Sequence, residues 1–116
     1  MVTIYGIKNC DTMKKARSWL DAHGVTYDFH DYKVTGIDHD KLLQWCKQLG
    51  WEVLLNKGGT TFKKLANEDK QDLNESKAIA LMLAQPSMIK RPVLVTGRQI
   101  LVGFKPEIYA AVLTGK

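Results

Sequence analysis

The spacing of hydrophobic positions changes several times along this chain, and each change marks an element. Val2 to Tyr5 is a short apolar run rich in β-branched and aromatic side chains, which predicts a strand closed by Gly6. From Met13 the spacing becomes helical. Met13, Ala16 and Leu20 share a face with Trp19 beside them, and Lys14, Lys15 and Arg17 fall to the other side, predicting an amphipathic helix that ends near Gly24. Val25 to Tyr32 predicts a second strand, with Val25, Tyr27 and Phe29 on one face. Asp38 is placed to cap a helix carrying Leu42, Cys46 and Leu49, and Gly50 ends it. Gly58 and Gly59 then break the stretch LNKGGTTFKKL, after which Thr60 or Thr61 can cap a brief helix. Asn74 opens another helix running toward Ala84, with Ala78, Leu81 and Met82 among its apolar members, and Pro86 stops it. Pro92 to Val95 and Ile100 to Val102 predict two strands joined by a hairpin turn in TGRQ. Pro106 fits the first turn of a closing helix with the apolar stripe Ile108, Tyr109, Val112 and Leu113, followed by Gly115.

The resulting order is strand, helix, strand, a largely helical insert, strand, strand, helix. The first two strands suit a right-handed crossover and the last two an antiparallel hairpin. This predicts an α/β fold, a thioredoxin-like mixed four-stranded sheet with an inserted helical subdomain. The 116 residues are expected to form one such domain over 1–116, with the insert at about 35–86.

Composition narrows the chemistry. Hydrophobic residues at 45% and charged ones at 25% suffice for an ordinary core, so no staple or metal is needed to explain folding. Two cysteines, Cys10 and Cys46, are too few for a disulfide scaffold or a closed four-ligand zinc site, and His23, His30 and His39 show no metal-ligand spacing with them. Lys8 and Asp11 interrupt the apolar beginning, and no run approaches the ~20 apolar residues of a membrane helix, so a cytoplasmic protein without membrane contact is expected. A net charge of +5 suits acidic partners and small anions such as glutathione or arsenate alike. No self-contained nucleic-acid module is evident, and no nucleic-acid partner is expected.

The stretch GIKNCDTMKKAR, Gly6 to Arg17, carries the most chemistry. Cys10 falls at the mouth of the first helix, where backbone N–H groups of Asp11, Thr12 and Met13, the Thr12 hydroxyl and the charges of Lys8 and Lys14 would favour a thiolate, with Asp11 opposing. From the residues alone it is either a nucleophile or a small hydrophobe lying among lysines. Met13 stands where a CxxC pair would have its second cysteine, so no local disulfide forms and a monothiol cycle is the exchange chemistry left. Cys46 lies on an apolar helical stripe and is expected to serve packing.

YGIKNCDTMKKAR, LLNKGGTTFKKL and IKRPVLVTGRQILVGFKPE together resemble the arsenate reductase and Spx-like branch of the thioredoxin superfamily, in particular its YffB-type members, over nearly the whole chain. The resemblance implies that Cys10 is the redox-active thiol and that Pro92 sits opposite it after a cis Arg91–Pro92 bond. It matches Arg91 to an oxyanion-binding arginine, able to steady the thiolate or a glutathione carboxylate through its fork of donors. The other two oxyanion arginines of arsenate reductases fall at or near Asn56, followed by Lys57, and at Phe104 or Lys105, so that only Arg91 clearly survives. The function expected is therefore a glutathione-dependent monothiol reductase acting on a disulfide or mixed disulfide. Cys10 and Arg91 would be catalytic, and Lys8, Asp11, Thr12, Met13, Lys14, Asn56, Lys57, Pro92 and Lys105 would contact glutathione or substrate. Glutathione would be a co-substrate and not a tightly bound cofactor; a protein disulfide is a further possible partner. Arsenate reduction and a non-enzymatic, protein-binding role like that of Spx are the alternatives. GGTTFKK, although basic and glycine-rich, lacks the GKS or GKT of a Walker phosphate loop.

Overall fold

The computed structural model describes residues 2–97 and 99–114. The chain divides into two compact units, one formed by residues up to Asp31 together with those from Arg91 onward, the other by Tyr32–Lys90.

The first unit is built on a mixed four-stranded sheet in the order β2-β1-β3-β4, from β1 (Val2–Gly6), β2 (Tyr27–Asp31), β3 (Val93–Thr96) and β4 (Gln99–Val102). β1 pairs parallel with β2, Ile4 opposite Phe29, and antiparallel with β3, Ile4 opposite Leu94; β3 and β4 form the antiparallel hairpin. A parallel pair needs a long crossover, and α1 (Asp11–Ala22) supplies it. Met13, Ala16 and Leu20 are its buried positions and meet Ile4, Leu94 and Tyr109 in one core cluster. Tyr109 comes from α8 (Pro106–Leu113), begun by Pro106 as the sequence predicts.

Several boundaries differ from the sequence reading. Val25 is not in β2 because its N–H is spent on the Leu20 carbonyl at the end of α1, 2.9 Å away. Tyr32 leaves the strand and opens a short helix. Pro92 has no N–H for the ladder, so β3 begins at Val93, while the Pro92 carbonyl accepts from the Gly103 N–H at 2.8 Å. Gly97 takes the left-handed conformation of the hairpin turn at φ 54°; Arg98 of that turn and Gly115 lie outside the described residues. The stripe on α8 is narrower than its spacing suggests: Tyr109 is fully buried, whereas Ile108 is 41% exposed.

The second unit is helical. α2 (Tyr32–Thr35), α3 (His39–Leu49), α4 (Trp51–Leu54), α5 (Thr60–Lys63), α6 (Asn67–Lys70) and α7 (Glu75–Ala84) are followed by a 3₁₀ turn over Pro86–Met88. The two longer helices begin where capping chemistry predicts. Asp38 accepts from the Lys41 N–H at 3.1 Å, and Asn74 from the Lys77 N–H at 2.9 Å. On α3 the buried residues are Leu42, Trp45 and Cys46, with Trp45 deeper than Leu49. α5 is capped at Gly59 and not by a threonine; the Thr61 hydroxyl is instead bonded to that of Ser87 at 2.9 Å. α2, α4 and α6, of four residues each, are too short to display a period and were not expected. Among the described residues no helix is long and apolar enough to cross a membrane.

Candidate active site

Cys10 is the N-cap of α1. Its backbone is extended, φ −137° and ψ 129°, and its carbonyl takes the first intrahelical bond, from the Lys14 N–H at 2.9 Å. In this position a side-chain acceptor faces the orphan N–H groups of the next two or three residues. The half-buried thiol makes no strict capping bond, but its anion would gain from the same donors. Burial pushes the Cys10 thiol up. The Met13 N–H, the Arg91 guanidinium and the Thr12 N–H more than offset that, and the thiol lies below its ordinary value.

These interactions divide the sequence-derived candidates. Cys10, Thr12, Met13 and Arg91 are brought together, Thr12 and Met13 through their backbones. The Met13 side chain points elsewhere, fully buried in the core cluster. It therefore anchors the helix while its N–H faces the sulfur. Arg91 comes from a distant part of the chain, directly before the cis Arg91–Pro92 peptide, and Pro92 is buried. Lys8, Asp11 and Lys14 are exposed around the helix start, and the cation acting on the thiol is Arg91. Lys105 is exposed and caps α8 through its carbonyl, which accepts from the N–H groups of Ile108 and Tyr109, each at 3.0 Å.

Asn56 and Lys57 belong to the helical unit. The Asn56 N–H donates to the Met88 carbonyl at 2.7 Å, and the Lys57 ammonium lies 5.5 Å from the centre of the Trp51 ring. The Asn56 side chain folds back on its own loop so closely that a Cβ at Gly59 would stand 2.9 Å from Nδ2. Phe104, the other position matched to an oxyanion arginine, turns its ring edge to Tyr109 at 4.9 Å.

Cys46 contrasts with Cys10. It is 3% exposed on α3, and burial together with the Glu75 carboxylate pushes its thiol up to about 11, against the opposing charge of Lys47. Among the described residues no group of three His, Cys, Asp or Glu side chains could hold a metal ion.

One supporting residue escaped the sequence reading. A Cβ on Gly6 would lie 2.3 Å from Sδ and 2.8 Å from Cε of Met13, so glycine here leaves room for the end of the first buried side chain of α1. Its position after an apolar run signals a strand exit equally well, which hides the second reason for it.

A mixed four-stranded sheet, a thiol at the N-cap of the crossover helix and a cis-proline entering β3 define a thioredoxin-like α/β protein. Within that class the chain belongs to the ArsC family, whose model matches residues 5–112. It is similar to the solved YFFB protein, with 64% identity, a TM-score of 0.95, and coverage of 97% of this chain and 99% of that one. An arsenate reductase (ArsC) related protein from Brucella melitensis is 55% identical with a TM-score of 0.77, covering 97% and 93% of the two chains. The global transcriptional regulator Spx of Streptococcus mutans is 29% identical over 97% of this chain and 83% of its own.

Proposed function

We propose that this protein is a monothiol reductase that removes glutathione from mixed disulfides, with Cys10 as nucleophile and Arg91 as the group that holds its thiolate. The Cys10 thiolate attacks the glutathione sulfur of a mixed disulfide. A Cys10–glutathione disulfide forms, the original S–S bond breaks, and the released thiolate takes a proton from solvent. A second glutathione thiolate then attacks the glutathione sulfur held on Cys10, so oxidised glutathione leaves and Cys10 is restored. The substrate sulfur is reduced and the second glutathione oxidised, which balances the cycle without another cysteine.

The observation that carries this reading is the pairing of a thiol held low at Cys10 with Met13, whose side chain is buried, at the position a resolving cysteine would take. Cys46, with its thiol pushed up to about 11, is a poor resolving thiol near neutral pH. Lys8, Lys14 and Lys105, exposed and cationic, are the candidates to attract the carboxylates of glutathione. Asn56 and Lys57 are kept as substrate contacts on the strength of the family match alone. The test compares wild type, Cys10→Ser and Cys46→Ser on a small glutathione mixed disulfide with glutathione as donor. Turnover should vanish with Cys10→Ser and persist with Cys46→Ser; loss in both, with a Cys10–Cys46 disulfide seen by mass spectrometry, would sink the monothiol cycle.

Arsenate reduction is the second reading, favoured by the Arg91 guanidinium at the thiol and by the name of the Brucella relative. Phe104 offers an oxyanion no donors, and Lys105 offers a point charge without a planar fork. Arsenate supplied in the same assay should turn over far more slowly than the mixed disulfide.

A further inference from the structure

Beyond the thiol, the exposed flank of α1 continues into a shallow shelf lined by Lys14, Lys15, Ser18, Trp19, Phe104 and Pro106. Cys10, Lys14 and Ser18 are spaced four apart, so they form one ridge of the helix, with Lys15 and Trp19 on the adjoining ridge. At 1.5 Å per residue the shelf begins ~6 Å from Cys10 along the helix axis and reaches Trp19 at ~13 Å. Its floor is aromatic. Trp19 meets the ring of the buried Tyr109 edge-on at 5.7 Å and lies flat against His23 at 3.8 Å, and Phe104 meets the same Tyr109 at 4.9 Å. Both Trp19 and Phe104 remain half-exposed. The charged side chains lining the shelf are lysines, and none is acidic.

Glutathione has a single residue on each side of its cysteine, too short to reach from Cys10 to Trp19. An extended polypeptide advances ~3.3 Å per residue and covers the distance in three to five residues. We infer that this shelf docks the protein part of a glutathionylated protein substrate, gripping a segment with an aromatic or aliphatic side chain and carboxylates a few residues from the modified cysteine. Rigid aromatic anchors with a rim of cations suit such a segment, because the apolar contact gives affinity and the charges give orientation and rate. This deepens the reading of Cys10 as a deglutathionylating thiol and rests on it for the identity of the cargo.

The test uses two peptide forms and one variant. A dye-labelled peptide with serine in place of the modified cysteine, followed by Phe–Glu–Asp four residues on, reports docking by fluorescence anisotropy without chemistry; its glutathionylated cysteine form reports turnover. The variant Lys15→Glu with Ser18→Glu reverses the shelf's charge at two exposed positions outside the thiol site. Docking should weaken at least tenfold in the variant, and likewise for wild type when the peptide's acids become lysines or its phenylalanine becomes serine. The kcat/KM for the glutathionylated peptide should fall in parallel, while that for a small glutathione mixed disulfide stays unchanged. Equal docking of all peptides, or equal loss on peptide and small substrate, overturns the proposal, as does a doubled mass in solution that the variant abolishes, which would make a second copy the occupant. If wild type turns over neither substrate, the reductase reading fails by itself, and the docking comparison still decides the shelf.

Discussion

Cys10 and Cys46 are the same residue type, and their surroundings push them in opposite directions. The Cys10 thiol is lowered in the folded protein, so it adds stability that is complete above the ~8.5 of an unfolded cysteine and is lost as pH falls through the folded value. Cys46 is raised to about 11, so its contribution is complete below ~8.5 and is lost as pH climbs through that raised value. Alkylation followed against pH should therefore give one fast thiol, titrating below ~8.5 and absent in Cys10→Ser, and one that stays unmodified until the fold opens. An apparent value for Cys10 at or above that of a free thiol would remove the activation argument. Arg91→Met should move the Cys10 value upward, and Arg91→Lys should restore it only in part, because an ammonium replaces the charge without the guanidinium's directed donors. From the residues alone Cys10 had two readings, and its pairing with Arg91 was legible only through the family resemblance. Lys8 and Lys14 looked like equal partners there, since proximity along the chain says nothing about which cation the fold carries to the sulfur.

At the scale of elements, what the sequence displayed well was whatever repeats or caps. Met13, Ala16 and Leu20 announced α1, and Asp38 and Asn74 announced α3 and α7 through the N–H groups they now accept from. Asn74→Ala should cost ~1 kcal/mol of stability in denaturant unfolding, as the Lys77 N–H loses its acceptor. The short helices α2, α4 and α6 stayed hidden because one turn has no periodicity. Gly6 illustrates a demand that no local pattern reveals. Gly6→Ala crowds the end of the fully buried Met13 side chain and should destabilise by ~1–3 kcal/mol while also slowing Cys10 alkylation, since Met13 supplies an N–H that lowers the thiol. A Gly6→Ala protein with unchanged stability and unchanged thiol reactivity would separate that packing contact from the site.

For the whole molecule, the segment order sufficed to foresee a mixed four-stranded sheet built from a crossover and a hairpin, whereas the strand order, with β1 inside, is added by the structure. The same order also places a helical insert inside the sheet unit, which is assembled from two stretches separated by Tyr32–Lys90; what it misses is the insert's reach, a few residues beyond the expected 35–86 at each end. β1 takes one neighbour, β2, from close by in sequence and the other, β3, from beyond Lys90. During synthesis β1, α1 and β2 emerge before β3, which follows only after some sixty further residues (Tyr32–Lys90). Arg91 arrives with that strand. A nascent chain halted before Arg91 should thus keep only the lowering that the Met13 and Thr12 N–H groups supply, and its Cys10 alkylation on stalled ribosomes should accelerate further once β3 has cleared the exit tunnel. Arg91, one of the groups that lower the Cys10 thiol, thus reaches it only after the helical unit has been made.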